Sequence, residues 1–267
     1  YKLMAYTLNQ LEMEKDPEID PSKVKRSTSS RAAYLMKRLP HYSFLQTRTM
    51  EAGKNYYRIH NFVHERMNAL VQQSDAAHYE HLHEILASYY LIEGMEYDLS
   101  LAGKSEYARM YRLEDPDWQT SMVEWLYHLC QLQERKTARL QFAKLYMEAF
   151  DWWGWYLPFK FNEDLLTVWE QTQPEQDCEF LEMFRNFQKA YPTGYKKVGK
   201  GDWNQVIIEL ENLIIDLALY KPAEKMTPDE RMTRGQIERY LAEAYRFNEV
   251  PDLKTAAEHY MTGRGYF

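Results

Sequence analysis

Apolar residues recur along most of this chain at the three- and four-residue spacing of an α-helix. The clearest run is Trp203, Val206, Ile207, Leu210, Leu213, Ile214 and Leu217, which keeps one helix face for four turns. Ile208, Ile215 and Leu219 widen that face until it predicts a helix sandwiched between neighbours. Leu82, Ile85, Leu86, Tyr89 and Ile92 form a comparable stripe, and Ile59, Phe62, Val63, Arg66 and Leu70 mark the helix before it. No clear period-two alternation, the sign of a half-buried strand, stands out.

Helix starts are marked as clearly as the stripes. Thr227-Pro228-Asp229-Glu230 has a capping Thr, a Pro at the first helical position and a Glu placed to return the cap. Asp115-Pro116-Asp117 and Asp20-Pro21 are similar, while Asn162-Glu163-Asp164, Asp202 and Ser74-Asp75 read as further N-caps. Pattern and punctuation together predict helices near 2–14, 21–38, 49–73, 75–101, 105–112, 116–150, 163–172, 174–190, 203–220, 228–247 and 252–262.

Short links between amphipathic helices favour antiparallel neighbours. The expected fold is therefore all-α: stacked antiparallel helical hairpins, irregular and helical-repeat-like, with an extended basic N-terminal segment. Residues 1–48 read as an N-terminal extension with short helices, basic from residue 21, and 49–267 as the helical body, with a subdivision near 151–162. Helix should far exceed the usual third of residues, with essentially no sheet.

Composition adds a globular mix of 45% hydrophobic and 27% charged residues, and an aromatic share of 15% that includes 22 Tyr. Tyr and Trp suit both helix seams and surfaces that become buried on assembly. Cys130 and Cys178 lie far apart without CxxC spacing, so a disulfide framework or cysteine zinc site is not indicated, and a reducing interior fits. No apolar stretch is long enough for a transmembrane helix; Trp152 to Phe161 is short and interrupted by Gly154 and Pro158. The chain begins at Tyr1, without an initiator Met, which fits a processed chain or the ordered part of a longer one. Processing would suit an imported organelle protein.

Charge is strongly segregated. Residues 21–58 carry a net +8, residues 1–20 a net −3 and residues 59–267 a net −12. Lys23, Lys25, Arg26, Arg31, Lys37 and Arg38 head this basic segment, which can meet an acidic protein surface, anionic lipid or RNA. Ser27, Thr28, Ser29 and Ser30 lower its helical propensity. Trp152, Trp153 and Trp155 form a second candidate contact, an aromatic cluster placed either to fill a hinge or to anchor a partner.

Candidate chemistry centres on histidine, since six of eight fall between His41 and His83. His60 and His64 are one turn apart, and Glu80 to His83 has the ExxH spacing of carboxylate-bridged di-iron bundles. Such bundles need a second ExxH and two more Glu residues, and only one copy is present. Helical geometry also directs Glu80 and His83 away from the Leu82 stripe, with His78 placed on the apolar side. Phosphate-loop, HExxH and GxSxG motifs are missing, and no cofactor is indicated.

Tyr240-Leu-Ala-Glu-Ala-Tyr245 followed by Ala256, Ala257 and Tyr260 resembles a degenerate tetratricopeptide hairpin, with a spacing about two residues too long. The resemblance implies a peptide-binding adaptor. A metal-dependent enzyme using the His60 to His83 region is the other alternative. The leading expectation is a non-catalytic accessory subunit of a large assembly, with other protein subunits as partners. A mitochondrial energy-converting membrane complex in an organelle matrix is the expected setting.

Overall fold

A computed structural model of the protein describes residues 2–16, 20–38, 45–49, 55–59, 61–105, 110–132, 135–172, 178–192, 194 and 201–266, with 45–49, 55–59 and 61–65 described by their backbone. Its elements in chain order are α1 (Lys2–Lys15), α2 (Pro21–Arg38), β1 (Leu45–Thr49), β2 (Asn55–Ile59), α3 (Asn61–Ser74), α4 (Ala76–Ser100), α5 (Pro116–Cys130), α6 (Arg135–Ala149), α7 (Lys160–Thr172), α8 (Cys178–Ala190), α9 (Trp203–Asp216), α10 (Pro228–Phe247) and α11 (Leu253–Tyr266). Short 3-10 turns occupy Tyr111–Glu114 and Ala223–Lys225, and a π-helical turn Phe150–Gly154. Among the described residues the architecture is all-α apart from one antiparallel strand pair.

That pair corrects the helix expected from residue 49. Leu45 pairs with Ile59, Thr47 with Tyr57 and Thr49 with Asn55. The two segments are rich in Thr, Tyr and Ile, residues that favour strands, and residues 50–54 between them include Gly53. Helix begins only at Asn61.

The chain forms two compact units, Tyr1–Ile92 and Glu93–Phe267, divided within α4. In the first unit α1 and α2 pair. Residues 21–38 form the helix expected over them, and within it the hydroxyls of the Ser/Thr run bond back to carbonyls of the preceding turn. Thr28 Oγ1 donates to Val24 O at 2.9 Å, and Ser30 Oγ to Arg26 O at 3.1 Å. Val24, Thr28 and Ala32 form the buried stripe of α2. Tyr6 meets Tyr89 with ring centroids 5.3 Å apart, and Glu14 Oε2 lies 2.6 Å from His81 Nε2, so both tie α1 to α4.

In the second unit α10 packs against α6, α9 and α11, α9 also against α8, and α5 against α6 and α7. Phe142, Tyr146 and Phe150, on successive turns, stack along one line. Phe180, Phe184 and Phe187 of α8 and Tyr240 of α10 close on that line. Each such ring pair contributes about 0.5–1.5 kcal/mol beyond burial.

Three of the caps read from the sequence form as expected. Thr227 and Glu230 form a reciprocal capping box, Asp115 accepts from Trp118 N at 2.8 Å, and Asp202 from Gln205 N at 3.0 Å. Asn162 does not cap: α7 begins before it, and the buried amide donates to Tyr146 O at 3.0 Å. The single helix expected over 116–150 is two, α5 and α6, which turn back to pack on each other without a Gly or Pro between them.

Helix α9 ends earlier than its apolar stripe implied. Ala218 has φ 53°, Ala218 N donates to Ile215 O and Leu219 N to Ile214 O, the two bonds of a Schellman motif. Only part of the widened face is covered, because Ile208 and Ile215 are exposed while Leu219 is buried. The helix is packed by α8 and α10 on neighbouring sides rather than enclosed.

Candidate interaction site

Helix α2 positions the basic candidates. Asp20 starts it by accepting from Ser22 N and Ser22 Oγ, and these bonds, the hydroxyl's first, hold its carboxyl below the usual range. Lys23, Lys25, Arg26, Arg31, Lys37 and Arg38 are all exposed, and the helix contains no acidic residue. At 100° per residue, Lys23, Arg26, Arg31, Lys37 and Arg38 fall within an arc of about 140°, centred roughly 130° from the buried stripe. Lys25 stands on the other flank. The basic face is about 22 Å long at 1.5 Å per residue.

Three further residues share this face, and charge counting alone passed over them. Ser27 and Ser30 are exposed between the cations. Tyr34, 57% exposed, takes a hydrogen bond from Arg38 Nη1 at 2.7 Å, and the Arg38 guanidinium lies over its ring. The signal was available in the spacing 23, 26–27, 30–31, 34 and 37–38, which marks one side of a helix. Arg31 also reaches Glu12 of α1 at 3.6 Å, an exposed pair of small energetic consequence.

Trp152, Trp153 and Trp155 lie at the π turn and are half-buried. The indole N–H groups of Trp152 and Trp153 both donate to one oxygen of Glu114, at 2.9 and 2.7 Å. Trp152 also meets Tyr111 edge to face. The π turn brings Asp151 to α10, where it accepts from Arg239 and from Tyr240 Oη. A Cβ at Gly154 would come within 2.7 Å of the Phe150 ring and 3.0 Å of Asn162 Oδ1, so a larger residue would push this turn apart. Around the tryptophans, Tyr111, Tyr156 and Leu157 are the more exposed apolar side chains.

Among the metal candidates, His60 lies outside the described residues, and only the backbone of His64 is described. Glu80 is half-buried. His83 is buried, not on a polar flank, with its ring 4.4 Å from that of Tyr79. At 100° per residue Tyr79, His83 and Ala87 share one buried side of α4 and buried Ile85 lies on the opposite side, while His78 is exposed. The apolar stripe included Ile85 but not the side of His83, and its Leu82, Leu86 and Tyr89 are only half-buried. Among the described residues, no group of three or more His, Cys, Asp or Glu could hold a metal ion.

Among the described residues, no helix is long and apolar enough to cross a membrane. Cys130 is buried and Cys178 exposed. Comparison of the chain with family models, curated proteins and solved structures finds no match.

Proposed function

We propose that this protein is a non-catalytic accessory subunit that docks to an acidic surface of a neighbouring subunit through the outward face of α2. The observation that carries the reading is the arrangement of six exposed cations on one helix without an acid, five of them within one arc of about 140°. Cations at the rim of an interface steer association and fix its register. A protein partner is favoured over RNA or anionic lipid because residues 59–267 carry a net −12, which repels a long polyanion while leaving a local contact intact. The Trp152 to Trp155 turn is a second contact in this reading. Its setting is an organelle matrix, with a mitochondrial energy-converting membrane complex as the assembly.

The test is native size-exclusion of extracts from cells that make the chain, at low and high salt. The reading expects elution with other subunits at fixed stoichiometry, and release when the six cations of α2 are replaced by Ser. Elution of both chains as the isolated protein would overturn it. Tighter binding of the purified chain to an RNA oligonucleotide or to phosphatidylserine vesicles than to the assembly would assign the face to a different partner.

A further inference from the structure

We infer that Ser27 is a phosphorylation site built into the basic face of α2, where Lys23 and Arg31 hold the added phosphate and the face loses charge. The hydroxyl run Ser27 to Ser30 follows Lys23, Lys25 and Arg26 in the sequence, and the helix sorts its members. Thr28 is buried and donates to Val24 O, Ser30 donates to Arg26 O at 3.1 Å, and Ser29 is half-buried. The Ser27 hydroxyl is exposed and bonds to nothing among the described residues. Its oxygen is therefore the one in this run best placed to accept a phosphoryl group.

The surroundings of Ser27 fit that group. At 100° per residue Ser27 lies about 40° from Lys23 and about 40° from Arg31, in one row of positions four apart whose neighbouring Cβ atoms are about 5–6 Å from each other. A phosphate there carries about −1.5 to −2 charges and three acceptor oxygens, so Lys23 from the turn before and Arg31 from the turn after can both hold it. No acid on α2 competes for these cations. Glu12 of α1 reaches Arg31 at 3.6 Å, both side chains exposed, while Asp20 at the helix start is taken up by Ser22. An exposed single pair contributes little, so the phosphate displaces Glu12 from Arg31.

The donor is a nucleoside triphosphate, and the enzyme a protein kinase that reads cations ahead of its acceptor, here Lys23, Lys25 and Arg26. Ser27 Oγ forms a bond to the terminal phosphorus, the bond from that phosphorus to its bridging oxygen breaks, the nucleoside diphosphate leaves, and the hydroxyl proton passes to the kinase's catalytic carboxylate. Transfer requires Ser27 to be drawn out of the helix. The buried residues of α2 are Val24, Thr28 and Ala32, and its Ser/Thr run has low helical propensity, so this stretch opens at small cost. The consequence for docking rests on the reading of α2 proposed above. The modification acts on the free chain, removes about 1.5–2 charges from the arc of five cations, and sets a repulsive group where an acidic partner would approach.

Two measurements test the site: phosphopeptide mass spectrometry of the chain from cells that make it, and phosphate uptake by the purified chain from ATP and a kinase selective for basic residues before its serine. Phosphate is expected on Ser27 in both, with uptake falling about tenfold or more in Ser27→Ala and in the combined Lys23→Ser, Lys25→Ser and Arg26→Ser variant. Phosphorus NMR of the product should give a second phosphate pKa below its ordinary value of about 6, moved back up in Arg31→Ser. No phosphate on Ser27 in cells, or a phosphate pKa that Arg31→Ser leaves unchanged, would overturn the proposal. The phosphorylated chain should bind the isolated assembly about tenfold or more weakly than the unmodified chain and respond less to salt. Equal binding of the two forms would overturn the loss of docking. If neither form binds the assembly, the docking reading fails, while phosphate on Ser27 with its lowered pKa upholds the site.

Discussion

Replacing Glu238 by Gln tests whether α11 is held on α10 by charge as well as by its small apolar contact. Glu238 is 1% exposed, and its carboxylate accepts from Arg234 Nε at 2.7 Å and pairs with His259 Nδ1 at 2.6 Å. The His259 ring also stacks on Tyr245 with centroids 5.2 Å apart. Burial raises the Glu238 pKa, but the His259 hydrogen bond and the Arg234 charge outweigh it and leave the carboxyl below its ordinary value. Gln keeps the shape and removes the charge, so the two donors no longer share a carboxylate. A hydrogen bond to a charged group contributes about 1.5–3 kcal/mol net. Stranding a fully buried charge costs about 3–5 kcal/mol, but Arg234 retains a second acceptor in Leu219 O at 3.1 Å. The expected loss is therefore about 2–3 kcal/mol. His259→Gln should cost at least ~1 kcal/mol less in the Glu238→Gln background than alone, since the shared interaction is already gone. Urea unfolding of the three variants, with unchanged m-values, measures both quantities. A loss below ~0.5 kcal/mol, or strictly additive losses, would refute the reasoning. The Glu238 contribution is present above the ordinary carboxyl value of 4.5 and disappears as pH falls through the lowered folded value.

Further outcomes follow from other sites. The Glu14 hydrogen bond raises the His81 pKa above 6.5, so its contribution to the α1–α4 tie is complete below that value and is lost as pH rises through the folded value; NMR titration should show the raised pKa, and Glu14→Gln should lower it. Ala218→Gly should stabilise the protein by about 1 kcal/mol, because a left-handed backbone strains Ala but not Gly; an unchanged or lower urea midpoint would contradict this. Gly263→Val should loosen α11 and raise its amide exchange, whereas Gly265→Ala, with nothing within 4 Å of the added carbon, should not.

Features set by neighbouring residues were legible in the sequence. Thr227, Asp115 and Asp202 cap because a side-chain oxygen reaches an amide two or three residues on, and that depends on little else. The all-α character followed from apolar periodicity for the same reason. Features decided by more distant packing were not legible. The helix over 21–38 was legible, but the Ser27 to Ser30 run gave no sign that Thr28 would be buried beside Val24 and Ala32 in a helix packed against α1. Ala218 carries no turn signature, although it occupies the position where Gly is usual. The strand pair was hidden because Tyr56, Tyr57 and Ile59 serve an apolar helix stripe as readily as a strand.

The site divides in the same way. Charge counting picked out the cations of α2, but only its buried stripe shows that five of them share one outward face with Ser27, Ser30 and Tyr34. For Trp152 and Trp153, sequence gave the cluster and no hint of Glu114, which lies 38 and 39 residues away and binds both indoles. For His83, the helical period was right, and Ile85 of the expected stripe is buried, but the second buried side formed by Tyr79, His83 and Ala87 was not marked by large aliphatic residues.

The central claim is that α2 is a docking surface, and its most direct measurement is the salt dependence of association with the isolated assembly. The wild-type chain is compared with one in which Lys23, Lys25, Arg26, Arg31, Lys37 and Arg38 are replaced by Ser. The account predicts that wild-type binding weakens steeply as salt rises, while the variant binds more weakly at low salt and responds much less to added salt. Equal affinities with the same salt dependence would show that the basic face of α2 is only a solvated surface.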